Sequence, residues 1–176
     1  MQHIDVLFYY LRKKKKVFAD SCLKFTTTDN QFDQRIQSLY IRFLGKNNDI
    51  YVVNVDHCVA EYILGFYMMS NTPWYEVDEV YFSIHVGREK HWILGCLRFK
   101  ERVIYVYNSK RSTRSNLFVM ECLEAYSVLL PLFLDLIGFW EKYELRGFTA
   151  FFDSKKKLTD PFDVLLVDEL PSQENK

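Results

Sequence analysis

A histidine and an asparagine mark the two ends of a predicted β-hairpin. They lie in the segment VYFSIHVGREKHWILGCLRFKERVIYVYNS, where His91 precedes one run of β-branched and aromatic residues and Asn108 ends the next. A hairpin with Phe99 and Lys100 at its tip would place His91 directly across from Asn108, with Cβ atoms roughly 4.5–5.5 Å apart. At that distance the carboxamide could fix the imidazole tautomer and leave the other ring nitrogen free as a general base. Hairpin geometry alone is also satisfied by a histidine and an asparagine that only cap frayed strand ends.

The pattern around this pair predicts three consecutive strands. Residues 80–86, 92–99 and 102–107 are rich in β-branched and aromatic side chains and are separated by short polar breaks, which is typical of an antiparallel meander. A later apolar run at 162–167 predicts a returning strand, and a weakly alternating run at 50–55 predicts a short strand earlier in the chain.

Apolar residues at helical spacing predict four helices. The spacing is carried by Ile4, Leu7, Phe8 and Leu11 in the first helix, by Phe32, Ile36, Leu39 and Phe43 in the second, and by Val59, Ile63, Phe66 and Tyr67 in the third. Three threonines and Asp29 can cap the second helix, and Gly45 ends it. The fourth begins near Ser115 and is expected to bend or break at Pro131. Helices, then strands, then a helix and a strand indicate an α+β domain.

The composition indicates one folded domain over residues 1–176. Hydrophobic residues make up 49% and aromatic residues 17%, which is enough apolar surface for a core. The 23 Lys and Arg balance the 23 Asp and Glu, so no net basic field indicates a nucleic-acid partner. The most apolar run, 128–140, is too short to span a bilayer, and Lys13–Lys16 interrupts any signal-peptide core. We therefore expect no membrane partner and an intracellular location.

The cysteines are too dispersed for a metal or disulfide framework. They are Cys22, Cys58, Cys96 and Cys122, without any CxxC pairing. This spacing suits a reducing compartment, and each is expected to be a small buried hydrophobic residue. Cys96 should point to the face of its strand opposite His91, because the two are five residues apart. His57 adjoins Cys58 without a third residue of a catalytic set. Without a glycine-rich loop or ligand cluster, we expect no cofactor and no metal.

The order of residues in the central segment resembles that of the ubiquitin-like-protein-specific (SUMO) cysteine proteases. In that family a strand like Val80–Ile84 precedes a His-Trp pair, here His91-Trp92, and a basic turn leads to a second strand ending Tyr-x-Ser, here Tyr107–Ser109. Outside the segment, DVLFYYL at 5–11 resembles the aromatic helix that opens the catalytic domain, and LPSQ at 170–173 resembles the family's Pro-Gln-Gln element. The sequence is similar to divergent members from plant genomes, many of them transposon-associated.

The resemblance implies a papain-like cysteine proteinase fold of the SUMO-protease/adenain type and roles for four residues. His91 would be the general base, and Asn108 would orient it where the family has Asp, as Asn does in papain-like enzymes. Gln173 would donate an N–H to the oxyanion. Trp92 would wall the channel that admits a Gly-Gly tail, although core packing explains a tryptophan there equally well. The partner implied is a SUMO-type ubiquitin-like protein or its conjugates, bound by a monomer.

The family's nucleophile has no counterpart in this sequence. In the family a cysteine in an Asp-Cys-Gly context follows the oxyanion Gln, whereas the chain ends three residues after Gln173. We therefore expect a fold that is incomplete at its C-terminus and a chain that is inactive alone. One hypothesis is a truncated cysteine peptidase domain that processes or deconjugates a SUMO-type modifier. The other is a non-catalytic module that binds the modifier, and a nucleotide or metal enzyme is a distant third. Lys13–Lys16 fits a nuclear-localisation signal or a solvated helix end, and the family makes a nuclear location possible.

Overall fold

The computed structural model describes residues 3–17, 24–69, 71–110, 112–144 and 156–168. Within these ranges the chain forms five helices and five strands. The helices are α1 (His3–Val17), α2 (Asn30–Gly45), α3 (Cys58–Leu64), α4 (Thr113–Leu136) and α5 (Phe139–Glu144). The strands are β1 (Phe25–Thr27), β2 (Glu79–Val86), β3 (His91–Arg98), β4 (Val103–Tyr107) and β5 (Asp163–Leu166). Short 3-10 turns occupy Ile50–Val52, Trp74–Glu76 and Gly87–Glu89.

The strands form one mixed sheet in the order β1-β2-β3-β4-β5. β2, β3 and β4 pair antiparallel, which confirms the predicted meander. β1 lies parallel to β2 on one side, and β5 lies parallel to β4 on the other. β5 confirms the predicted returning strand with slightly narrower bounds. The chain therefore has the mixed α+β architecture that the sequence indicates.

Helices α2 and α4 pack on the same face of the sheet and build the core there. Phe32 of α2 stacks on Phe82 of β2 with ring centroids 5.8 Å apart, and Tyr126 of α4 lies edge-on to Phe82 at 5.1 Å. The Tyr126 hydroxyl donates to Asp33 Oδ1 at 2.8 Å, and the His85 backbone N–H donates to Asp33 Oδ2 at 3.1 Å. The buried Asp33 carboxylate thus links α2 to α4 and to the C-terminal end of β2.

The turn between β3 and β4 has four residues rather than the predicted two. Arg98 pairs with Val103, so the register differs by two residues from a hairpin with Phe99 and Lys100 at its tip. Phe99 is buried against Phe139, with ring centroids 4.7 Å apart. Arg102 takes a positive φ of 57° and donates its N–H to the Phe99 carbonyl at 3.2 Å. A shift of two residues leaves every side chain on its predicted face.

Two local predictions are wrong, and each has a cause in the local backbone. The segment 50–55 is not a strand, because Asp49 accepts the Tyr51 N–H at 3.0 Å and starts a 3-10 turn. The third helix ends at Leu64 rather than reaching Tyr67. Gly65 follows it at a φ of 87°, a left-handed conformation that ends helices and that glycine adopts without strain.

Helix α4 continues through Pro131, so of the predicted bend or break the structure excludes the break. Proline removes the N–H that would bind the Ser127 carbonyl four residues earlier. The Phe162 N–H binds that carbonyl instead at 3.0 Å, and the Ser127 hydroxyl donates to the Phe162 carbonyl at 2.6 Å. The proline is therefore accommodated by the segment that leads into β5.

Helix α4 is also long and apolar enough, by length and composition, to cross a membrane. Half of its apolar window is buried inside this fold. Val119, Leu123, Leu130 and Leu134 are fully buried in the core described above. A core helix satisfies the same length and composition criteria, so this feature does not indicate a membrane location.

Candidate functional site

The structure brings His91 and Asn108 into hydrogen-bond contact. His91 Nε2 lies 3.1 Å from Asn108 Oδ1. Both residues lie on the core-facing side of their strands, as do their buried neighbours Ile93 and Val106. In the observed register Asn108 is a diagonal rather than a direct neighbour of His91, a distance that long side chains can bridge. The predicted contact is confirmed, and the catalytic roles of the two residues stay predictions.

The Lys110 backbone fixes which way the Asn108 carboxamide points. The Lys110 N–H donates to Asn108 Oδ1 at 3.0 Å, and Asn108 Nδ2 donates to the Lys110 carbonyl at 2.6 Å. A backbone N–H can only donate and a carbonyl can only accept, so a flipped carboxamide would oppose both groups. Oδ1 therefore faces His91, and the ring nitrogen facing it, Nε2, must carry the proton.

This tautomer leaves His91 Nδ1 with a free lone pair. No described residue forms a hydrogen bond with Nδ1. A neutral imidazole held through Nε2–H with Nδ1 unprotonated is the form that accepts a proton from a nucleophile. The carboxamide cannot titrate, so it orients the ring without itself exchanging a proton. In chemical terms the pair is a general base with its orienting group.

Two residues that the sequence did not single out as site residues, Ser115 and Glu89, extend the hydrogen bonds of Asn108 on the side away from His91. Asn108 Nδ2 also contacts Ser115 Oγ at 3.4 Å, and Ser115 Oγ donates to Glu89 Oε2 at 2.8 Å. Ser115 is fully buried and Asn108 is 4% exposed. Ser115 begins the predicted fourth helix, and Glu89 stands two residues before His91. Nothing in their spacing indicated that the two would meet.

Trp92 lies on the opposite face of β3 from His91. It pairs across the ladder with His85, and the two rings lie 4.7 Å apart. Trp92 and its same-face neighbour Leu94 are half-buried. Their exposure leaves the channel-wall and packing hypotheses for Trp92 open. Gln173, the fourth predicted site residue, lies outside the described residues.

None of the described cysteines contacts His91. Cys96 is buried on the far face of β3, as predicted, and burial raises the pKa of its thiol to about 12. Burial also raises the pKa of Cys122, whose Sγ lies 3.9 Å from the His85 carbonyl. Two thiols that resist ionisation make poor nucleophiles. Cys22 lies outside the described residues.

The adjacent His57 and Cys58 do not form an activated pair. Cys58 Sγ is 3.9 Å from His57 Nδ1, but that nitrogen accepts the Val59 N–H at 3.2 Å and caps α3. Burial, and then the charges of Arg42 and Arg35, lower the pKa of His57. Because the lone pair of Nδ1 is already used by the helix, His57 is poorly placed to take a proton from the thiol. Within the described ranges no three His, Cys, Asp or Glu side chains cluster as a metal site requires.

Comparison with known proteins gives only distant structural similarity. No protein-family profile matches the sequence, and no curated protein matches it. Among solved structures, the C-terminal protease domain of Ulp1 in complex with Smt3, the yeast ortholog of SUMO, has 15% identity and a TM-score of 0.43 over 96% of this chain. The SUMO protease Ulp1 with its catalytic cysteine oxidised to a sulfonic acid has 13% identity and a TM-score of 0.40 over 97% of this chain.

The chain spans just over half of these solved structures, 55% and 57% of their length. At these identities and TM-scores the similarity assigns neither a family nor a function. A function for this chain therefore rests on the geometry of His91 and Asn108 and on the sequence resemblance that marks the same two residues.

Proposed function

We propose that this chain is a domain of a cysteine peptidase specific for a SUMO-type ubiquitin-like protein, with a papain-like fold. The reaction is cleavage after the Gly-Gly tail of the modifier, in processing or deconjugation. His91 is the general base, Asn108 its orienting residue, Trp92 a wall of the tail channel, and Gln173 an oxyanion donor. The likeness to plant and transposon-associated members, and a nuclear location, belong to this proposal and derive from the sequence resemblance.

The observation that carries the proposal is the contact between His91 Nε2 and Asn108 Oδ1. The Lys110 contacts alone would also suit an asparagine that caps a strand end, whereas the imidazole on the same Oδ1 is a contact that a cap does not require. The Lys110 backbone fixes the carboxamide, and the result is an imidazole that donates through one nitrogen to its orienting residue and keeps the other nitrogen free as a base. The residue order His-Trp followed by Tyr-Asn-Ser marks the same pair independently.

A second candidate function is a non-catalytic module that binds the same modifier. The specific observation in its favour is that none of the described cysteines, Cys58, Cys96 and Cys122, contacts His91. Both candidates predict binding of a modifier with a Gly-Gly tail. They differ in whether a thiol meets His91 when the protein is whole.

Turnover distinguishes the two candidates. The assay measures release of a fluorophore from the C-terminal amide of a SUMO-type modifier, using residues 1–176 and the protein translated from its complete transcript. We expect no turnover by residues 1–176 alone and turnover by the complete protein. Removal of the base, as in His91→Ala, should lower kcat by 10²-fold or more, the usual contribution of a general base.

The matched control is His3→Ala, which removes an exposed imidazole on α1 and leaves Asn108 and Trp92 unchanged. It should leave turnover within a few-fold of the parent. Turnover that survives His91→Ala would contradict the peptidase proposal. Binding of the modifier by the complete protein without any turnover would favour the non-catalytic module.

A further inference from the structure

The contacts behind Asn108 form a chain of hydrogen bonds that all donate in one direction. His91 Nε2–H donates to Asn108 Oδ1, Asn108 Nδ2 contacts Ser115 Oγ, and Ser115 Oγ donates to Glu89 Oε2. The three distances are 3.1, 3.4 and 2.8 Å. The Ser115 hydroxyl has a single proton and gives it to Glu89, so its lone pairs face Asn108. The chain therefore runs from the imidazole to a carboxylate.

We propose that Glu89 is a positioning residue for His91, acting as the anionic end of this chain through Ser115 and Asn108. The proposal rests on the proposed function for its catalytic consequence. The contacts themselves involve only residues of this chain. Asn108 is neutral, so it can orient the imidazole but supplies no negative charge. Glu89 places that charge at the far end of the chain, where it strengthens each donor in turn.

The Glu89 carboxylate is largely enclosed and contacts both Ser115 and Lys110. Its side chain is 11% exposed, so solvent screens it weakly. Lys110 Nζ lies 3.6 Å from the same oxygen, Oε2, and forms an ion pair with it. The backbone N–H and carbonyl of Lys110 also form hydrogen bonds with the Asn108 carboxamide. Lys110 thus contacts Asn108 through its backbone and Glu89 through its side chain.

Local structure explains how these residues meet. Glu89 ends the 3-10 turn Gly87–Glu89, which reverses the chain between β2 and β3. Ser115 sits in the first turn of α4, where its N–H donates to the capping Ser112 Oγ at 3.0 Å. The turn before β3 and the start of α4 therefore converge behind Asn108. A residue that only closed this junction would act on stability alone, whereas a positioning residue also acts on the imidazole.

The test reads the imidazole directly and requires no turnover. The chain has four histidines, so selective ¹⁵N-histidine labelling gives few ring signals to assign. The measurement is the rate at which the His91 Nε2–H proton exchanges with water. Glu89→Gln keeps the shape and a hydrogen-bond acceptor but removes the charge. It should raise the exchange rate about threefold to tenfold, the effect of weakening one buried hydrogen bond.

Ser115→Ala removes the central hydroxyl and should raise the rate at least as much. The matched control is Glu121→Gln, which neutralises an exposed carboxylate paired with Arg88 at 3.6 Å and should leave the rate unchanged. The proposal is overturned if the exchange rate of the His91 Nε2–H proton in Glu89→Gln equals that of the parent within error. This holds even if Ser115→Ala changes the rate. If Glu89→Gln does not fold, an unchanged rate in Ser115→Ala overturns it equally. Failure of the peptidase assay would leave this measurement unaffected, and the two proposals can therefore fail separately.

Discussion

At the scale of a single residue, the contacts of Asn108 require an amide rather than a carboxylate. Its Nδ2 donates to the Lys110 carbonyl at 2.6 Å while its Oδ1 accepts from the Lys110 N–H and faces His91. An aspartate could make the Oδ1 contacts but would turn a second oxygen toward the carbonyl. The departure from the Asp of the resembling family therefore agrees with the local backbone.

Replacing Asn108 by Asp should destabilise the fold. A carboxylate oxygen would lie against the Lys110 carbonyl at a buried position, which costs about 1–3 kcal/mol in the free energy of unfolding. The measurement is urea unfolding at pH 7. Asn54→Asp is the matched control, since Asn54 Oδ1 accepts the Asp56 N–H at 3.0 Å in the same local geometry but is exposed. Equal effects of the two substitutions would show that the Lys110 carbonyl does not select the amide.

His57 should make the stability of the chain sensitive to mild acid. Burial, Arg42 and Arg35 lower its pKa below the ordinary value of about 6.5. The unfolded chain then binds a proton more readily than the folded one. The associated stability is present above pH 6.5 and is lost as the pH falls from there through the folded pKa.

His57→Asn keeps a side chain that can cap α3 but does not titrate. The free energy of unfolding of the parent should fall more steeply than that of the variant between pH 7 and pH 5. The difference between the two proteins isolates this group from the other acids and bases. Parallel pH profiles would show that His57 is not protected in the folded state.

At the scale of elements, the start of α2 and the strand meander follow from short-range patterns. Asp29 caps α2 by accepting the Phe32 N–H at 2.9 Å, as its position before the apolar periodicity indicates. The β3–β4 turn could not be predicted in this way. Its width depends on Phe99 packing against Phe139, about forty positions later, a contact that no local pattern encodes. The predicted register was wrong by two residues, which leaves each side chain on its predicted face of the sheet. His91 and Asn108 are therefore still in contact.

The junction of α4 with β5 depends on Ser127. Its hydroxyl donates to the Phe162 carbonyl at 2.6 Å, and its own carbonyl, left without a helical partner by Pro131, binds the Phe162 N–H. Ser127→Ala should lower the free energy of unfolding by about 1–2 kcal/mol, because it leaves a buried carbonyl without a donor. Ser38→Ala removes an exposed hydroxyl that bonds the Gln34 carbonyl at 2.7 Å and should change stability by less than about 0.5 kcal/mol. A result for Ser127→Ala as small as that for Ser38→Ala would contradict this role.

For the whole molecule, the two faces of the sheet differ in their cover. The face packed by α2 and α4 is closed, whereas Trp92 and Leu94 on the other face are half-buried. Cys96 on the same face is 1% exposed, as predicted, so the cover of this face is partial. The sequence predicted which side chains share the face, but it could not predict which segments pack on it.

We therefore expect residues 1–176 to self-associate through this face. Exposure of a few hundred Å² of apolar surface, at about 25 cal/mol per Å², corresponds to several kcal/mol. Light scattering of the purified chain should show aggregation that rises with concentration, and Leu94→Lys should reduce it. Leu44→Lys is the control, because Leu44 is 49% exposed on the outer side of α2. A monomeric parent with a sharp thermal transition would contradict the expectation and would favour the non-catalytic module.

The most direct test of the account is the protonation state of the His91 ring. In the chain labelled with ¹⁵N-histidine and studied at pH 8, we predict a proton on Nε2 in slow exchange with water and none on Nδ1. Asn108→Ala should abolish the slow exchange, since it removes the oxygen 3.1 Å from Nε2. A proton on Nδ1 in the parent, or an Nε2–H signal that Asn108→Ala leaves unchanged, would contradict the assignment of His91 as a base oriented by Asn108.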